Sequence, residues 1–147
     1  MSHLNIADVI PHRMEGEAVL LDHVPNGVKR VLDLGTGNGR LLKMIRVKRP
    51  NVEGVGIDIS PAMLKAAKES FFGDPLVKVF KHDLYDPLCR AELGTCDIIV
   101  TSLAIHHLTD ERKYSIYKEI YSLLNHGASL VTLSMWTHRL SDFMNIF

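Results

Sequence analysis

The sequence predicts an α/β domain of the doubly wound type, with a mostly parallel sheet of five strands and helices on both faces. Short runs rich in Val, Ile and Leu recur along the chain, and a stretch with helical spacing lies between successive runs. A helical connection is a crossover, and crossovers place successive strands in parallel. The five predicted strands are Arg30–Leu34, Val52–Ile57, Val77–Phe80, Ile98–Thr101 and Leu130–Leu133.

Turn and capping signals delimit the first two predicted helices. A helix over Met14–His23 is followed by the turn signal Pro25-Asn26-Gly27, just before the first strand. A second helix runs over about Gly39–Lys48 and is stopped by Pro50-Asn51. Its inward-facing residues are Leu41, Leu42 and Ile45.

Three more helices are predicted in the second half of the chain. Ser60 caps the first of them and Pro61 takes its first helical position, with Met63, Leu64 and Ala67 as its inner stripe. Asp86-Pro87 opens a short helix by the same reasoning. A longer helix ends at Asn125-His126-Gly127, and its apolar face is formed by Tyr117, Ile120, Tyr121 and Leu124.

Composition bounds the class of protein. Of 147 residues, 46% are hydrophobic and 23% charged, which supplies a core for one domain and excludes a disordered chain. We expect this domain to span residues 1–147, with an N-terminal helical segment over 1–28 and a C-terminal tail over 135–147. The 17 basic and 17 acidic residues balance, so a dedicated nucleic-acid binder is not favoured.

The sequence also bears on the compartment. No apolar stretch reaches the roughly 18 residues that span a bilayer, and Met1–Glu15 lacks the pattern of a signal peptide. We therefore expect a cytoplasmic protein with no membrane partner. Cys89 and Cys96 belong to no CxxC-type motif and are expected to be free thiols. No metal site is predicted.

The stretch Asp33-Leu34-Gly35-Thr36-Gly37-Asn38-Gly39 joins the first strand to a helix and contains three alternating glycines. Glycine lets the chain turn sharply while its backbone lies against a ligand, because a Cβ atom would block both. We therefore predict a loop that binds a nucleotide-type ligand. A glycine-rich connector without a ligand is the alternative.

Acidic residues follow the next two strands. Asp58 ends the second strand and Asp83 follows the third, and in open parallel sheets such strand ends converge on one crevice. A carboxylate at Asp58 is suited to accept hydrogen bonds from both ribose hydroxyls, and Ile59 and Leu84 supply the apolar faces that an adenine needs. The alternatives are helix capping for Asp58 and a plain loop position for Asp83.

Beyond the glycine loop, the chain carries further motifs in a set order, namely VLDLGTGNGR, GVGIDIS, KHDLYDPL, CDIIVTSLAIHHL and LLNHGASLV. In that order they resemble the motifs of the class I S-adenosylmethionine-dependent methyltransferases, whose first motif is an acid at a strand end followed by GxGxG. The resemblance spans about Val31 to Ser134. It implies a Rossmann-like fold and methyl transfer, with S-adenosyl-L-methionine as cofactor and S-adenosyl-L-homocysteine as product.

The resemblance also implies roles for individual residues. The glycines would lie against the methionine part of the cofactor, with Asp33 supporting the loop and the ammonium group. Asp58 would hold the ribose, Ile59 and Leu84 would sandwich the adenine, and Asp83 would bond its amino edge. The hydroxyl side chains ending the fourth strand would face the methionine. The complete predicted cofactor-binding set is Asp33, Gly35, Thr36, Gly37, Gly39, Asp58, Ile59, Asp83, Leu84, Thr101 and Ser102.

A dinucleotide dehydrogenase is the nearest rival class, because it shares the sheet and the ribose acid. Its fingerprint is GxGxxG, whereas the stretch Gly35-Thr36-Gly37-Asn38-Gly39-Arg40 places the third glycine one position early. Asp33 also suits a sulfonium cofactor that bears a cationic amine better than it suits a pyrophosphate. Both observations favour the methyltransferase.

Methyl transfer from a sulfonium is an in-line displacement, so the main tasks are alignment of the acceptor and exclusion of water. We expect a small-molecule acceptor. For a hydroxyl acceptor, His106 and His107 are the candidate bases, and packing at the start of the next helix is the alternative. The basic cluster Lys43, Arg46, Lys48 and Arg49 is interpreted as a solvated helix end, which leaves a nucleic-acid contact unsupported.

The C-terminal region departs from the family pattern. Class I methyltransferases normally continue into a further helix and an antiparallel strand pair, whereas here only Ser134–Phe147 follow the fifth strand. We expect the sheet to lack that pair and Leu130–Leu133 to form its edge. An apolar edge favours a homo-oligomer, here a dimer that buries Trp136, Phe143, Ile146 and Phe147. The alternative function is a non-catalytic or truncated cofactor-binding scaffold that needs a partner or dimer mate to complete the acceptor site.

Overall fold

The sheet is parallel throughout the part of the chain that the structure describes. The computed structural model describes residues 21–22, 24–102 and 104–133. Its strands, in chain order, are β1 Arg30–Leu34, β2 Glu53–Asp58, β3 Val77–Lys81, β4 Cys96–Ser102 and β5 Leu124–Leu133. They lie in the order β3-β2-β1-β4-β5, and every neighbouring pair is parallel. The predicted fold class is confirmed.

Helices cover both faces of this sheet. They are α1 Arg40–Lys48, α2 Pro61–Ser70, α3 Arg90–Leu93 and α4 Asp110–Leu123, with a 3₁₀ turn at Ile105–His107 before α4. Successive residues of β1 belong to different cores, since Val31 packs with α1 and Leu32 packs with α4. Side chains of a strand alternate between the faces, so each face has its own buried apolar layer.

The boundary between α4 and β5 differs from the prediction. The helix ends at Leu123, and Leu124 already pairs with Cys96 in the sheet, so the predicted continuation to Asn125-His126-Gly127 is wrong. The fully buried residues are Ile116, Ile120 and Leu123. Of the predicted face, Ile120 is among them and Tyr117 and Leu124 are partly buried against the same core, so only Tyr121 was wrongly predicted. Tyr121 is 60% exposed. Aliphatic side chains bury completely, whereas a tyrosine hydroxyl is favoured where it reaches water.

Two details of the central helices also differ from the predictions. Ser60 caps α2 by accepting from the Met63 N–H at 3.3 Å, as expected, but Met63 is 47% exposed and lies off the buried stripe of Leu64 and Ala67. Met63 precedes Ala67 by four residues and so flanks the buried stripe, on the solvent side of the first turn of the helix. The short helix begins at Arg90. Asp86 instead belongs to a turn, its N–H donating to the Asp83 carbonyl.

The basic cluster on α1 has local partners. Arg46 pairs with Asp74 at 2.6 Å, Lys48 lies 3.5 Å from Asp22, and Arg49 donates to the Val24 carbonyl at 3.0 Å. The hydrogen bond from Arg46 holds the pKa of Asp74 below its usual value. These contacts agree with the interpretation of a solvated helix end.

Both cysteines are free thiols, as predicted, with Cys89 exposed and Cys96 buried. Burial raises the pKa of the Cys96 thiol to about 11. No helix within the described ranges has the length and apolar character to cross a membrane.

Some predictions lie outside the described residues. Only Leu21 and Asp22 of the predicted helix Met14–His23 are described, and both are helical. The tail Ser134–Phe147, with the proposed contact residues Trp136, Phe143, Ile146 and Phe147, lies outside as well. The lack of an antiparallel strand pair and the dimer therefore stay predictions.

Candidate cofactor site

The glycine loop is built by backbone conformations that favour glycine. Gly35, Gly37 and Gly39 have φ angles of 74°, 58° and 85°, in the left-handed region that other residues rarely adopt. The Gly35 and Thr36 N–H groups both donate to the Ile57 carbonyl, at 2.9 and 2.8 Å. The loop that follows β1 is therefore held against the end of β2, at the carboxyl edge of the sheet.

The three glycines face different surroundings. A Cβ atom at Gly35 would lie 2.3 Å from the Ala104 Cβ, and one at Gly39 would lie 2.7 Å from a ring carbon of Phe71. A Cβ at Gly37 would meet no atom within 4 Å. Packing against the protein already requires glycine at Gly35 and Gly39. The predicted reason, backbone that lies against a ligand, applies to Gly37, beside which the space is open.

Asp33 supports the loop from the sheet. Its carboxylate is 1% exposed and accepts the Thr36 hydroxyl at 2.8 Å. The Thr36 side chain has room because Gly56 lies in the neighbouring strand, where a Cβ would come within 2.8 Å of the threonine oxygen. Gly56 thus makes room for the threonine that supports the glycine loop. This role was not predicted, although Gly56 lies in the motif GVGIDIS.

Asp58 connects the glycine loop to the start of α2. Its Oδ2 accepts from the Gly37 N–H at 2.8 Å and its Oδ1 accepts from the Ser60 N–H at 2.9 Å. The cap of α2 itself is Ser60, so capping does not account for the position of this carboxylate. Each carboxylate oxygen offers more than one lone pair, which leaves capacity for ligand hydroxyls.

A cavity of about 260 Å³ opens beside this carboxylate. Small-molecule sites span roughly 300–1,000 Å³, so the cavity is slightly smaller than a typical site of that kind. Two acids and several apolar side chains share it. Its lining residues are Gly35, Asp58, Ile59, His82, Asp83, Leu84, Tyr85, Ala104, His107 and Leu108. Within the described ranges, no group of three or more His, Cys, Asp and Glu side chains is arranged to hold a metal ion.

The loop after β3 forms one wall of the cavity. The Asp83 Oδ1 accepts from the Tyr85 N–H at 2.9 Å, which locks the acid and the tyrosine into one turn. The Tyr85 hydroxyl accepts from the Thr109 N–H at 3.1 Å. The side chain of Tyr85 therefore connects this wall to the first residues of the α4 region.

Comparison with known proteins identifies the family. The family described as methyltransferase domain matches residues 31–127. The chain belongs to the methyltransferase family. The predicted recognition is thereby confirmed.

Relatives and solved structures agree with this membership. The chain is 31% identical over 109 residues to an uncharacterized methyltransferase of Oceanobacillus iheyensis, covering 74% of this chain and 47% of the relative. It is 33% identical over 115 residues to one of Bacillus thuringiensis, covering 78% and 51%. The chain thus spans about half the length of these curated relatives. The S-adenosylmethionine-bound aminopentose methyltransferase CalS10 of Micromonospora echinaspora has the same fold, with a TM-score of 0.67 and 21% identity over 86% of this chain and 55% of that one.

The cavity is lined by part of the predicted cofactor-binding set. Gly35, Asp58, Ile59, Asp83 and Leu84 line it, and of the two candidate bases His107 lines it and His106 does not. Four further residues that line the cavity were not predicted. Each lies next to or near a predicted residue in sequence, and they are His82, Tyr85, Ala104 and Leu108.

Other predicted residues lie around the cavity without lining it. Asp33, Thr36, Gly37 and Gly39 belong to the loop or its support, as described above. Thr101 is 1% exposed, and its buried hydroxyl has no hydrogen-bond partner within the described part of the chain. The side chain of Ser102 lies outside the described residues.

Proposed function

We propose that the chain binds S-adenosyl-L-methionine at the carboxyl edge of its sheet and transfers the methyl group to a small-molecule acceptor. The observation that carries this proposal is Asp58. Its carboxylate holds the Gly37 N–H at 2.8 Å and also lines the cavity that Asp83 and Leu84 enter. Asp58 therefore lies between this cavity and the open side of Gly37. The nucleoside part of the ligand would occupy the first and its charged side chain the second.

The cavity residues suit the parts of this cofactor differently. Ile59 and Leu84 offer apolar surfaces for the adenine, and the Asp83 carboxylate offers an acceptor for its amino group. Asp58 would accept the ribose hydroxyls. The backbone around Gly37 would lie against the methionine part, where the space is open. The proposed set fits a nucleoside bearing an amino acid better than it fits a dinucleotide.

The chain's own contribution to catalysis would be alignment and exclusion of water. When bound, the cofactor supplies a sulfonium methyl group that is open to in-line displacement. For a hydroxyl acceptor, His106 and His107 stay the candidate bases. His107 lines the cavity proposed here for the nucleoside, so we assign neither histidine the role of proton acceptor. We propose a small organic acceptor, in keeping with the balanced charge of the chain, and we also propose a cytoplasmic location.

We also propose that a second copy completes the acceptor side of the site. Among the strands that the structure describes, β5 has β4 as its sole neighbour, and a free strand edge offers backbone groups for pairing. The residues proposed to be buried in this dimer are Trp136, Phe143, Ile146 and Phe147.

Calorimetric titration with S-adenosylmethionine and S-adenosylhomocysteine tests the cofactor assignment. Hydrogen bonds to a charged group contribute about 1.5–3 kcal/mol each, so Asp58→Ala should weaken binding by about tenfold or more. Asp97→Ala is the matched control. Asp97 also accepts two backbone N–H groups, from Lys29 and Arg30 at 2.8 and 3.0 Å, but it lies near the amino end of β4 and should leave affinity unchanged.

Folded, cofactor-free wild-type protein that gives no binding heat would contradict the proposal. That result would favour the non-catalytic scaffold as the function. Equal losses of affinity in Asp58→Ala and Asp97→Ala would contradict the specific role of Asp58.

A further inference from the structure

The cavity has two walls that come from different connections of the sheet. One wall is the loop after β3, with Asp83, Leu84 and Tyr85, and the other is the segment Ala104–Leu108 after β4. Both walls lie beyond the ends of their strands, where the ladder of the sheet no longer holds them. Their relative position therefore depends on contacts from outside the sheet.

Arg112, on the first turn of α4, makes those contacts. Its Nε donates to the Leu84 carbonyl at 2.7 Å and its Nη2 donates to the Asp86 carbonyl at 2.9 Å. The same guanidinium binds Glu119 through two hydrogen bonds, at 2.7 and 2.9 Å. Arg112 does not line the cavity, and it acts on the wall through the backbone of a lining residue.

The neighbours of Arg112 reinforce this connection. The Glu119 Oε1 also accepts from the Leu88 N–H at 2.8 Å, and the Tyr85 hydroxyl accepts from the Thr109 N–H at 3.1 Å. The segment from Leu84 to Leu88 is thus held to α4 at several points. Because α4 begins directly after the second wall, these bonds set the distance between the two walls.

We propose that Arg112 is a positioning residue that holds the adenine wall of the cofactor site, an inference that rests on the proposed function. The Asp83 carboxylate and the Leu84 side chain belong to one turn, so a shift of the Leu84 backbone displaces both together. The guanidinium makes four hydrogen bonds here, from donors on three nitrogens, whereas an ammonium has three donors on one nitrogen and cannot replace all four. Selectivity for the adenine base therefore depends on a side chain that never touches it.

Arg112→Lys tests this role, and Arg30→Lys is its matched control. Arg30 also donates to two backbone carbonyls, of Leu93 and Thr95, and pairs with the Glu53 carboxylate at 2.9 Å. It lies at the start of β1, at the opposite edge of the sheet from the cavity. Both variants keep the positive charge and lose a hydrogen-bonded guanidinium. Only Arg112→Lys should loosen the adenine wall.

The first measurement is the ratio of the dissociation constants of S-inosylhomocysteine and S-adenosylhomocysteine, which differ in the base alone. In Arg112→Lys, affinity for the adenosyl ligand should fall by about tenfold and the ratio by about threefold or more. Arg30→Lys should keep the wild-type ratio. A uniform loss of stability would weaken both ligands alike, so the ratio separates positioning from a merely structural role.

The second measurement is hydrogen exchange at the Asp86 and Leu88 amides in the ligand-free protein. These N–H groups bind the Asp83 carbonyl and Glu119, so their exchange should be faster in Arg112→Lys and unchanged in Arg30→Lys. Tyr85→Phe is the milder variant, because it keeps the ring and loses only the hydrogen bond from the Thr109 N–H. It should lower the ratio of dissociation constants as Arg112→Lys does.

The outcomes distinguish this inference from the proposed function. A folded Arg112→Lys protein with the wild-type ratio of dissociation constants would contradict the positioning role. Unchanged hydrogen exchange at the Asp86 and Leu88 amides would show that Arg112 does not restrain the loop after β3. Wild-type protein that binds neither ligand contradicts the proposed function and the role of the wall with it. The exchange measurement then still decides whether Arg112 restrains the loop.

Discussion

At the scale of single residues, the glycines of the loop meet two different requirements, close packing within the protein and open space for a ligand. Gly35 and Gly39 have positive φ angles and also lie against Ala104 and Phe71. Gly37 has a positive φ angle and an open side. Glycine is therefore required for packing at Gly35 and Gly39, whereas at Gly37 it leaves space in which a ligand could approach the backbone.

Alanine substitutions separate these requirements. Gly37→Ala should cost about 1–2 kcal/mol for the left-handed backbone and should weaken S-adenosylhomocysteine binding. Gly35→Ala adds an overpacking cost of about 1–3 kcal/mol, because its Cβ would lie 2.3 Å from that of Ala104. Urea unfolding measures the stabilities.

The double variant Gly35→Ala/Ala104→Gly is the control for the overpacking. It removes the Cβ that Gly35→Ala meets and should recover most of the overpacking cost, giving a favourable coupling in a double-mutant cycle. Additive losses would show that the two positions do not meet as described.

At the scale of elements, α4 serves the core and the site with different faces. Ile116, Ile120 and Leu123 pack against the sheet, while Arg112 and Glu119 restrain the loop after β3. The hydrogen bond from Arg112 holds the pKa of Glu119 below its usual value, and the carboxylate raises the pKa of Arg112. The pair thus favours the charged form of both groups at neutral pH.

The pair predicts a pH dependence of stability. A carboxyl group whose pKa is lower in the folded state stabilises the fold above its unfolded pKa, about 4.3 for glutamate. This contribution is lost as the pH falls through the folded pKa of Glu119. Wild type should therefore be more stable than Glu119→Gln at pH 7, and the difference should shrink as the pH is lowered below about 4. Urea unfolding across this range measures it, and a difference independent of pH would contradict the ion pair.

At the scale of the whole molecule, the parallel sheet gathers the candidate site at one edge. The loops after β1, β2, β3 and β4 all contribute to the cavity or its support, although their residues are far apart in sequence. The amino edge instead holds the structural contacts of Arg30 and Asp97. Substitutions of Arg30 or Asp97 therefore affect structural contacts at one edge of the sheet and leave the cavity at the other edge intact.

Self-association is the prediction at this scale. We expect a dimer in light scattering at about tens of micromolar protein, because an exposed strand edge favours pairing between copies. Phe143→Asp and Phe147→Asp should shift the protein toward the monomer, since burial of a charge opposes association. A strictly monomeric wild type at these concentrations would contradict the proposed interface.

Local patterns predicted the elements well where local chemistry decides them. β1 has the predicted bounds Arg30–Leu34, Gly39 precedes α1, and Ser60 caps α2. Of the predicted apolar face of α4, Ile120 is buried and Tyr117 and Leu124 pack against the core, whereas Tyr121 is exposed and was wrongly predicted. Spacing alone does not decide which residues at the margin of such a face are exposed. The end of α4 was also missed, because Leu124 is apolar enough for either element and its pairing with Cys96 decides the matter.

The sequence by itself determined the fold class, the order of the elements, the glycine loop and the acids at the strand ends. These features depend on backbone conformation and on residues adjacent in the chain. Only the tertiary structure decided that Ala104 lies against Gly35, that Tyr85 and His82 enter the cavity, and that Arg112 holds the loop beside Leu84. Such contacts join residues from separate connections, and they depend on how helices and loops pack across the sheet, which no local pattern encodes.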